Sequence, residues 1–151
     1  MAHLSSIVYK PKEAPQVEGA YTRVPVVEAR LVADYGIEGD AKGGSGTRQL
    51  NIMCAEALEG LAREGFTTEP GLMGEQLIVS GLDVDALKPG DVLALGSEAR
   101  AEVVEPRVGC ARFEQYQGKQ REDAGGRMGV MARVTASGTI RVGDPVSLVG
   151  G

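Results

Sequence analysis

The stretch "MGVMARVTA" at residues 128–136, followed after one serine by "GTIRVGDPVSLVG" at 138–150, decides how this chain folds. Apolar residues in both runs alternate with polar or small ones, the period of a strand with one buried face. Glycines and a Gly-Asp turn punctuate them, and Pro145 fits only an edge position or the opening residues of its strand. Working back along the chain, "EQLIVSG" (75–81), "DVLALG" (91–96) and "ARAEVVE" (99–105) repeat the pattern, so the second half reads as mostly sheet. Further upstream, "VPVVEARLVAD" (24–34) alternates with Val27, Ala29, Leu31 and Ala33 on one side, which predicts a single half-buried strand, and "RQLNIM" (48–53) predicts another. In "CAEALEGLAREG" (54–65), by contrast, Leu58, Leu61 and Ala62 share one face at helical spacing and Gly65 ends the helix. A second helix is expected around "ARFEQYQGKQRED" (111–123), where Phe113, Tyr116 and Gln117 share a face and Gly118 interrupts. Many short strands, few helices and no βαβ rhythm predict a mainly β fold, a closed or strongly curved β-barrel. Residues 20–151 form that domain, and residues 1–19 are an N-terminal extension in which His3 frays.

Composition narrows the function. The chain's 151 residues are enough to bury a core without disulfide or metal staples. Against 21 Asp and Glu stand 16 Lys and Arg, a net charge of −5, so the surface as a whole repels nucleic acid and anionic membranes. An anion site must therefore be a local cluster of Arg and Lys. No apolar run approaches the ~18 residues that span a bilayer, and "MAHLSSIVYKPKEAPQ" has no apolar core of a signal peptide. A cytoplasmic protein without membrane or nucleic-acid partners is expected. His3 is the only histidine, which removes Ser-His-Asp triads, Cys-His dyads and histidine zinc sites. Two cysteines in such a chain do not suggest a disulfide framework.

The residues that could carry chemistry lie in three places. In "EPRVGCARFE" (105–114), Cys110 stands between Arg107 and Arg112, and nearby cations favour a nucleophilic, metal-binding thiolate. The alternative is a small buried hydrophobe at a strand-to-helix turn. Cys54 reads as a core thiol, the alternative being a reactive thiolate stabilised by the helix N-terminus it precedes. The loop "GDAKGGSGTR" (39–48) offers backbone amides to an anion, with Lys42 and Arg48 to neutralise it. It matches neither the P-loop nor the dinucleotide-binding spacing, and a plain flexible loop has the same composition. Arg127 and Arg133 flank the turn "GGRMG", and Arg133 reads as a solvated strand charge.

Taken in order, "GIEGDAKGGSGTRQLNI", "PGLMGEQLIVSG", "PRVGCARFE", "GRMGVMARV" and "GTIRVGDPVSL" resemble a MOSC domain, the module named for the C-terminus of molybdenum-cofactor sulfurase. The resemblance runs from about residue 20 to the end. It implies a stand-alone β-barrel with Cys110 as the family cysteine, associated with the molybdenum cofactor (molybdopterin) or with sulfur transfer to it. It also implies cofactor contacts from Asp40, Lys42, Arg48, Glu75, Arg107, Arg112 and Arg127. Lys42 stands where many relatives have histidine, Gln76 follows the "GE" pair of Gly74 and Glu75 where asparagine is frequent, and Pro106 and Arg107 replace an upstream cysteine and histidine of some relatives. Some relatives reduce N-hydroxylated compounds with electrons from partner proteins.

Three readings follow. The chain is a molybdenum-cofactor redox enzyme or component with Cys110 as metal ligand, served by an electron-donor protein, with Glu75, Asp40 or water as the proton source. Or it is a carrier whose Cys110 takes a persulfide from a separate desulfurase. Or it is an anion-binding module without chemistry. No pyridoxal-phosphate site is expected in this chain.

Overall fold

The computed structural model describes residues 2–12, 23–44 and 46–150. In chain order its strands are β1 (His3–Tyr9), β2 (Val24–Val26), β3 (Glu28–Val32), β4 (Gly36–Ile37), β5 (Leu50–Cys54), β6 (Leu77–Ser80), β7 (Val92–Leu95), β8 (Ala99–Pro106), β9 (Val130–Ala136), β10 (Gly138–Arg141) and β11 (Val146–Leu148). Helix α1 (Ala55–Arg63) follows β5 and helix α2 (Ala111–Gln117) follows β8. Eight strands make one sheet in the order β11-β7-β8-β9-β5-β6-β1-β2, and β10-β3-β4 make a second. Only β5 and β6 pair in parallel among these described strands, and α1 lies in the crossover that such a pair requires.

The predicted closed or strongly curved β-barrel does not form. The large sheet is open, with β11 and β2 as its two ends, and neither sheet is closed or strongly curled. An isolated bridge, His3 with Pro145, ties the start of β1 to the turn before β11, helped by Leu4 N–H donating to the Asp144 carbonyl at 2.8 Å. Pro145 has no N–H to donate, and the neighbouring contacts are made around it, by Gly143 N–H to the Leu4 carbonyl at 2.7 Å and Val146 N–H to the Ala2 carbonyl at 3.1 Å. The strand expected over 24–34 is also two strands. It breaks at Val27, which is 79% exposed, so β2 stays in the large sheet while β3 crosses to the small one.

Residues 3–9, expected within an N-terminal extension, pair with both β6 and β2 and bury Leu4, Ile7 and Val8. His3 opens this strand instead of fraying; residues 13–19 lie outside the described residues. Two apolar clusters hold the molecule together. One lies among the strands and includes Leu31, Ile52, Leu93, Val103 and Val134. The other packs Leu58 and Leu61 of α1 with Phe66, Met73, Phe113 and Met128. Phe113 of α2 is fully buried and stacks on Phe66 with ring centres 6.1 Å apart. Burying such a ring contributes about 1.5–3 kcal/mol, which fixes α2 on the sheet. The helix ends at Gly118 in the left-handed conformation (φ 65), earlier than the pattern over 111–123 suggests, and residues 121–124 form a short 3-10 turn. Among the described residues, no helix is long and apolar enough to cross a membrane.

Candidate functional site

β8 delivers the chain to a short connection, residues 107–110, that leads into α2. Arg107 N–H donates to the Gly129 carbonyl at 3.0 Å, which fixes where the connection leaves the sheet. Gly109 is needed for space: a Cβ there would lie 3.0 Å from Arg121 Cβ and 3.1 Å from the Phe113 ring. Arg121 clips the turn from outside, donating to the Gly109 carbonyl at 3.3 Å and pairing with Glu114 at 3.0 Å. Hydrogen bonds from the Arg121 side chain and backbone hold the Glu114 carboxyl down at about 2. Cys110, exposed, sits in the residue before α2. Partial burial pushes its thiol up, but the amides of Phe113 and Arg112 and the charges of Arg107 and Arg48 outweigh it and hold the thiol below its ordinary value. Cys54 is the opposite case, buried and pushed up by burial.

Cys110 opens onto a cleft of about 290 Å³. Arg23, Lys42, Arg48, Arg107 and Arg112 also line it, and no carboxylate among the described residues does. Just behind is buried Lys10. Burial, followed by the charges of Lys42, Arg112 and Arg23, pushes the Lys10 ammonium below its ordinary value. Lys42 is lowered by local desolvation and by Arg23 and Arg112. Cations that depress one another in this way are poised to accept an anion, which relieves their repulsion.

A second layer holds these cations in place. Asp40 is fully buried and accepts from the backbone N–H of Lys10 at 3.1 Å and of Lys42 at 3.2 Å, so it anchors the start of the glycine loop. Gln49 anchors its end, donating to the Gly46 carbonyl at 3.1 Å while accepting from Val134 N–H at 2.9 Å. The Arg107 guanidinium donates from Nη1 to Asn51 Oδ1 at 2.9 Å and to the Met73 carbonyl at 2.5 Å, and it lies over the Phe113 ring. Asn51 is itself fixed by donating to the carbonyls of Met128 and Val130. Glu75 is fully buried; its oxygens accept from Gly71 N–H at 2.7 Å and Met73 N–H at 3.2 Å. Burial pushes its carboxyl up, against the opposing pull of those amides and of Arg23.

Of the residues singled out in the sequence, Cys110, Lys42, Arg48, Arg107 and Arg112 come together around one cleft. Asp40 and Glu75 stand behind its wall, with their carboxylates turned to backbone amides and, for Asp40 Oδ2, to the side chain of the cleft-lining Gln76 at 3.4 Å. Arg127 is elsewhere, bound to Glu64 beyond the end of α1 and to the Asp123 carbonyl at 2.6 Å. Sequence reasoning missed Arg23, Lys10 and Asn51, each an isolated polar residue beside or within an apolar run with no spacing to mark it. Among the described residues, no group of three or more His, Cys, Asp or Glu side chains is placed to hold a metal ion. A metal at Cys110 would therefore bring its other ligands with its own cofactor.

Comparison with known proteins places these features in a family. The profile of the MOSC domain matches residues 39–147. A protein described as a reductase from Gibberella moniliformis is 34% identical over 83 residues, which cover 52% of this chain and 15% of that one. The chain thus spans a small part of that relative's length. Among solved structures, YiiM from Geobacillus stearothermophilus superposes with a TM-score of 0.75 at 22% identity, covering 99% of this chain and 75% of that chain. YiiM from Escherichia coli gives 0.72 at 24% identity, covering 99% and 70%. The YuaD protein from Bacillus subtilis gives 0.74 at 20% identity, covering 97% and 94%. At such identities the structures speak to the fold, and the profile match over most of the chain shows that it belongs to the MOSC domain family.

Proposed function

We propose that the cleft binds the molybdenum cofactor, with Cys110 thiolate as a soft ligand to the metal and the chain acting as a redox enzyme or the cofactor-bearing component of one. The observation that carries this reading is the convergence of an exposed, low-pKa thiol and five cationic side chains on one cleft free of described carboxylates. The residues fit the group: thiolate suits a soft metal, and guanidinium groups suit a phosphate. Lys42, Arg48, Arg112, Arg23 and Arg107 would hold the anionic part. Bound there, the cofactor would supply the oxidation-reduction chemistry. The protein's own share is to fix the thiol, neutralise the charge of the ligand and shape the cleft. Asp40 and Glu75 are buried behind the wall, so protons for a reduction would come from water in the cleft. Resemblance to a protein described as a reductase supports the redox reading, and an electron-donor partner would complete it.

The test is reconstitution with molybdenum cofactor followed by desalting and metal analysis of wild type and Cys110→Ala, both shown to be folded by circular dichroism. Near-stoichiometric molybdenum in the wild type, lost in the variant, is the expected result. If neither protein retains metal, the cofactor reading fails. The exposure of Cys110 then favours the carrier reading, which predicts a mass gain of one sulfur on Cys110 after incubation with a persulfide donor.

A further inference from the structure

The turn at residues 71–74 touches two of the cleft's arginines, one at each of its glycines. Gly71 (φ +86) packs on Arg23, where an added Cβ would lie 3.1 Å from Arg23 Cβ. Gly74 (φ +88) packs on Arg107, where an added Cβ would lie 2.7 Å from Nη2. Between them, the Met73 carbonyl accepts the Arg107 hydrogen bond at 2.5 Å. Glu75 holds this turn, with one carboxylate oxygen on the Gly71 amide and the other on the Met73 amide. A carboxylate removed from water persists only where hydrogen bonds replace its hydration, and the turn's own amides do that here. The shape of the turn and the buried carboxyl group therefore depend on each other.

We infer that Glu75 is a positioning residue of the cleft: by clamping the amides of Gly71 and Met73 it fixes the turn that seats Arg23 and Arg107. The inference rests on the cleft being an anion site, as proposed above, but it needs no cofactor to be present. The same Arg107 nitrogen, Nη1, also donates to Asn51 Oδ1, so the guanidinium is held jointly by a side chain and the turn.

The sign of one measurement separates positioning from charge. The rates at which iodoacetate and iodoacetamide alkylate Cys110, read by peptide mass spectrometry, give a ratio in which the thiolate fraction cancels. What remains is the cationic field at the thiol, set by the facing groups Arg107, Arg48, Lys42 and Arg121. Removing a negative charge makes the cleft more positive, and removing a protonated carboxyl leaves its charge unchanged, so electrostatics alone predicts a ratio raised or unchanged in Glu75→Gln. Positioning predicts the reverse, a ratio lowered about two- to fivefold, the effect of moving away one unit charge that stands roughly 4–8 Å off in a high dielectric. Glu75→Asp keeps the charge and shortens the reach by one methylene, so it too lowers the ratio, and it serves alone if Glu75→Gln does not fold. With Arg107→Leu already in place, either substitution has a smaller effect. A ratio unchanged or raised in the Glu75 variants, or lowered just as much without Arg107, overturns the inference. Failure of the protein to retain molybdenum would leave this ratio as it is, so the two readings fail separately.

Discussion

Gly129 offers the sharpest test of how tightly the site is built into the sheet. It has φ +73, and an added Cβ would lie 1.9 Å from the Ile52 carbonyl oxygen, 2.8 Å from its carbon and 3.0 Å from Met53 Cα. All three are backbone atoms of β5, a central strand held by β9 on one side and β6 on the other, so no side chain can swing aside. Gly126 is a matched control, with φ +79 and nothing within 4 Å of an added Cβ. Gly126→Ala meets only the left-handed backbone, about 1–2 kcal/mol. Gly129→Ala meets that and the collision, and overpacking a rigid site costs about 1–3 kcal/mol more. The expected loss is therefore about 2–5 kcal/mol, a large part of the ~5–15 kcal/mol that a domain has. Equilibrium urea unfolding of the two variants, with unchanged slope, measures the difference directly. If Gly129→Ala and Gly126→Ala agree within about 0.5 kcal/mol, β5 yields to the new methyl group and the reasoning fails. Because the Gly129 carbonyl accepts the Arg107 amide, a folded Gly129→Ala protein should also show altered reactivity at Cys110.

Other outcomes follow from the same geometry. Iodoacetamide at neutral pH should label Cys110 and leave Cys54 unlabelled until denaturant is added. The Cys110 rate profile should have its midpoint below that of a free thiol, since a lowered pKa keeps the thiolate to lower pH, and ~0.5 M salt should move it back up. Gln117, which accepts from Thr67 N–H and donates to the Leu72 carbonyl at 2.9 Å, ties α2 to the 67–73 loop. Gln117→Leu leaves buried polar groups unmet and should lower stability by about 1–3 kcal/mol in urea unfolding. For Glu114 the folded pKa is depressed, so the clip to Arg121 is fully present above the ordinary 4.5 and lost only as pH falls through about 2; a carboxyl carbon titration by NMR with its midpoint near 4.5 would contradict this. Arg127→Ala should leave cofactor retention unchanged, because that arginine is bound to Glu64 outside the cleft.

Much of this was legible in the residues, for identifiable reasons. α1 shows because its apolar face repeats at helical spacing, and Leu58 and Leu61 are buried as that spacing demands. The strand runs show because alternation survives wherever one face is buried. Cys110 shows because its arginines are also neighbours in sequence, whereas Arg48 and Lys42 reach the same cleft from a distant loop. The openness of the sheet was not legible, since closure depends on whether strands far apart in sequence find each other, and here β1 and the β11 end meet through a single bridge and a few backbone bonds. Nor was the break at Val27, where continuous alternation hides a change of sheet. The setting of Glu75 left no trace because its partners are main-chain amides, which every residue but proline carries.

The order of the strands bears on when the cleft comes into being during synthesis. β5 is made early, yet its neighbours in the sheet are β6 and the much later β9, and the Asn51 amide nitrogen finds its acceptors at residues 128 and 130. Closing such a long loop is slow relative to forming local turns. A nascent chain that has exposed Lys42, Arg48 and the 71–74 turn but not yet β9 holds scattered cations and no cleft. On the proposed reading, loading of the cleft waits until the chain beyond Met131 has left the ribosome, and a protein truncated before that point should bind nothing at Cys110 even where its helices have formed.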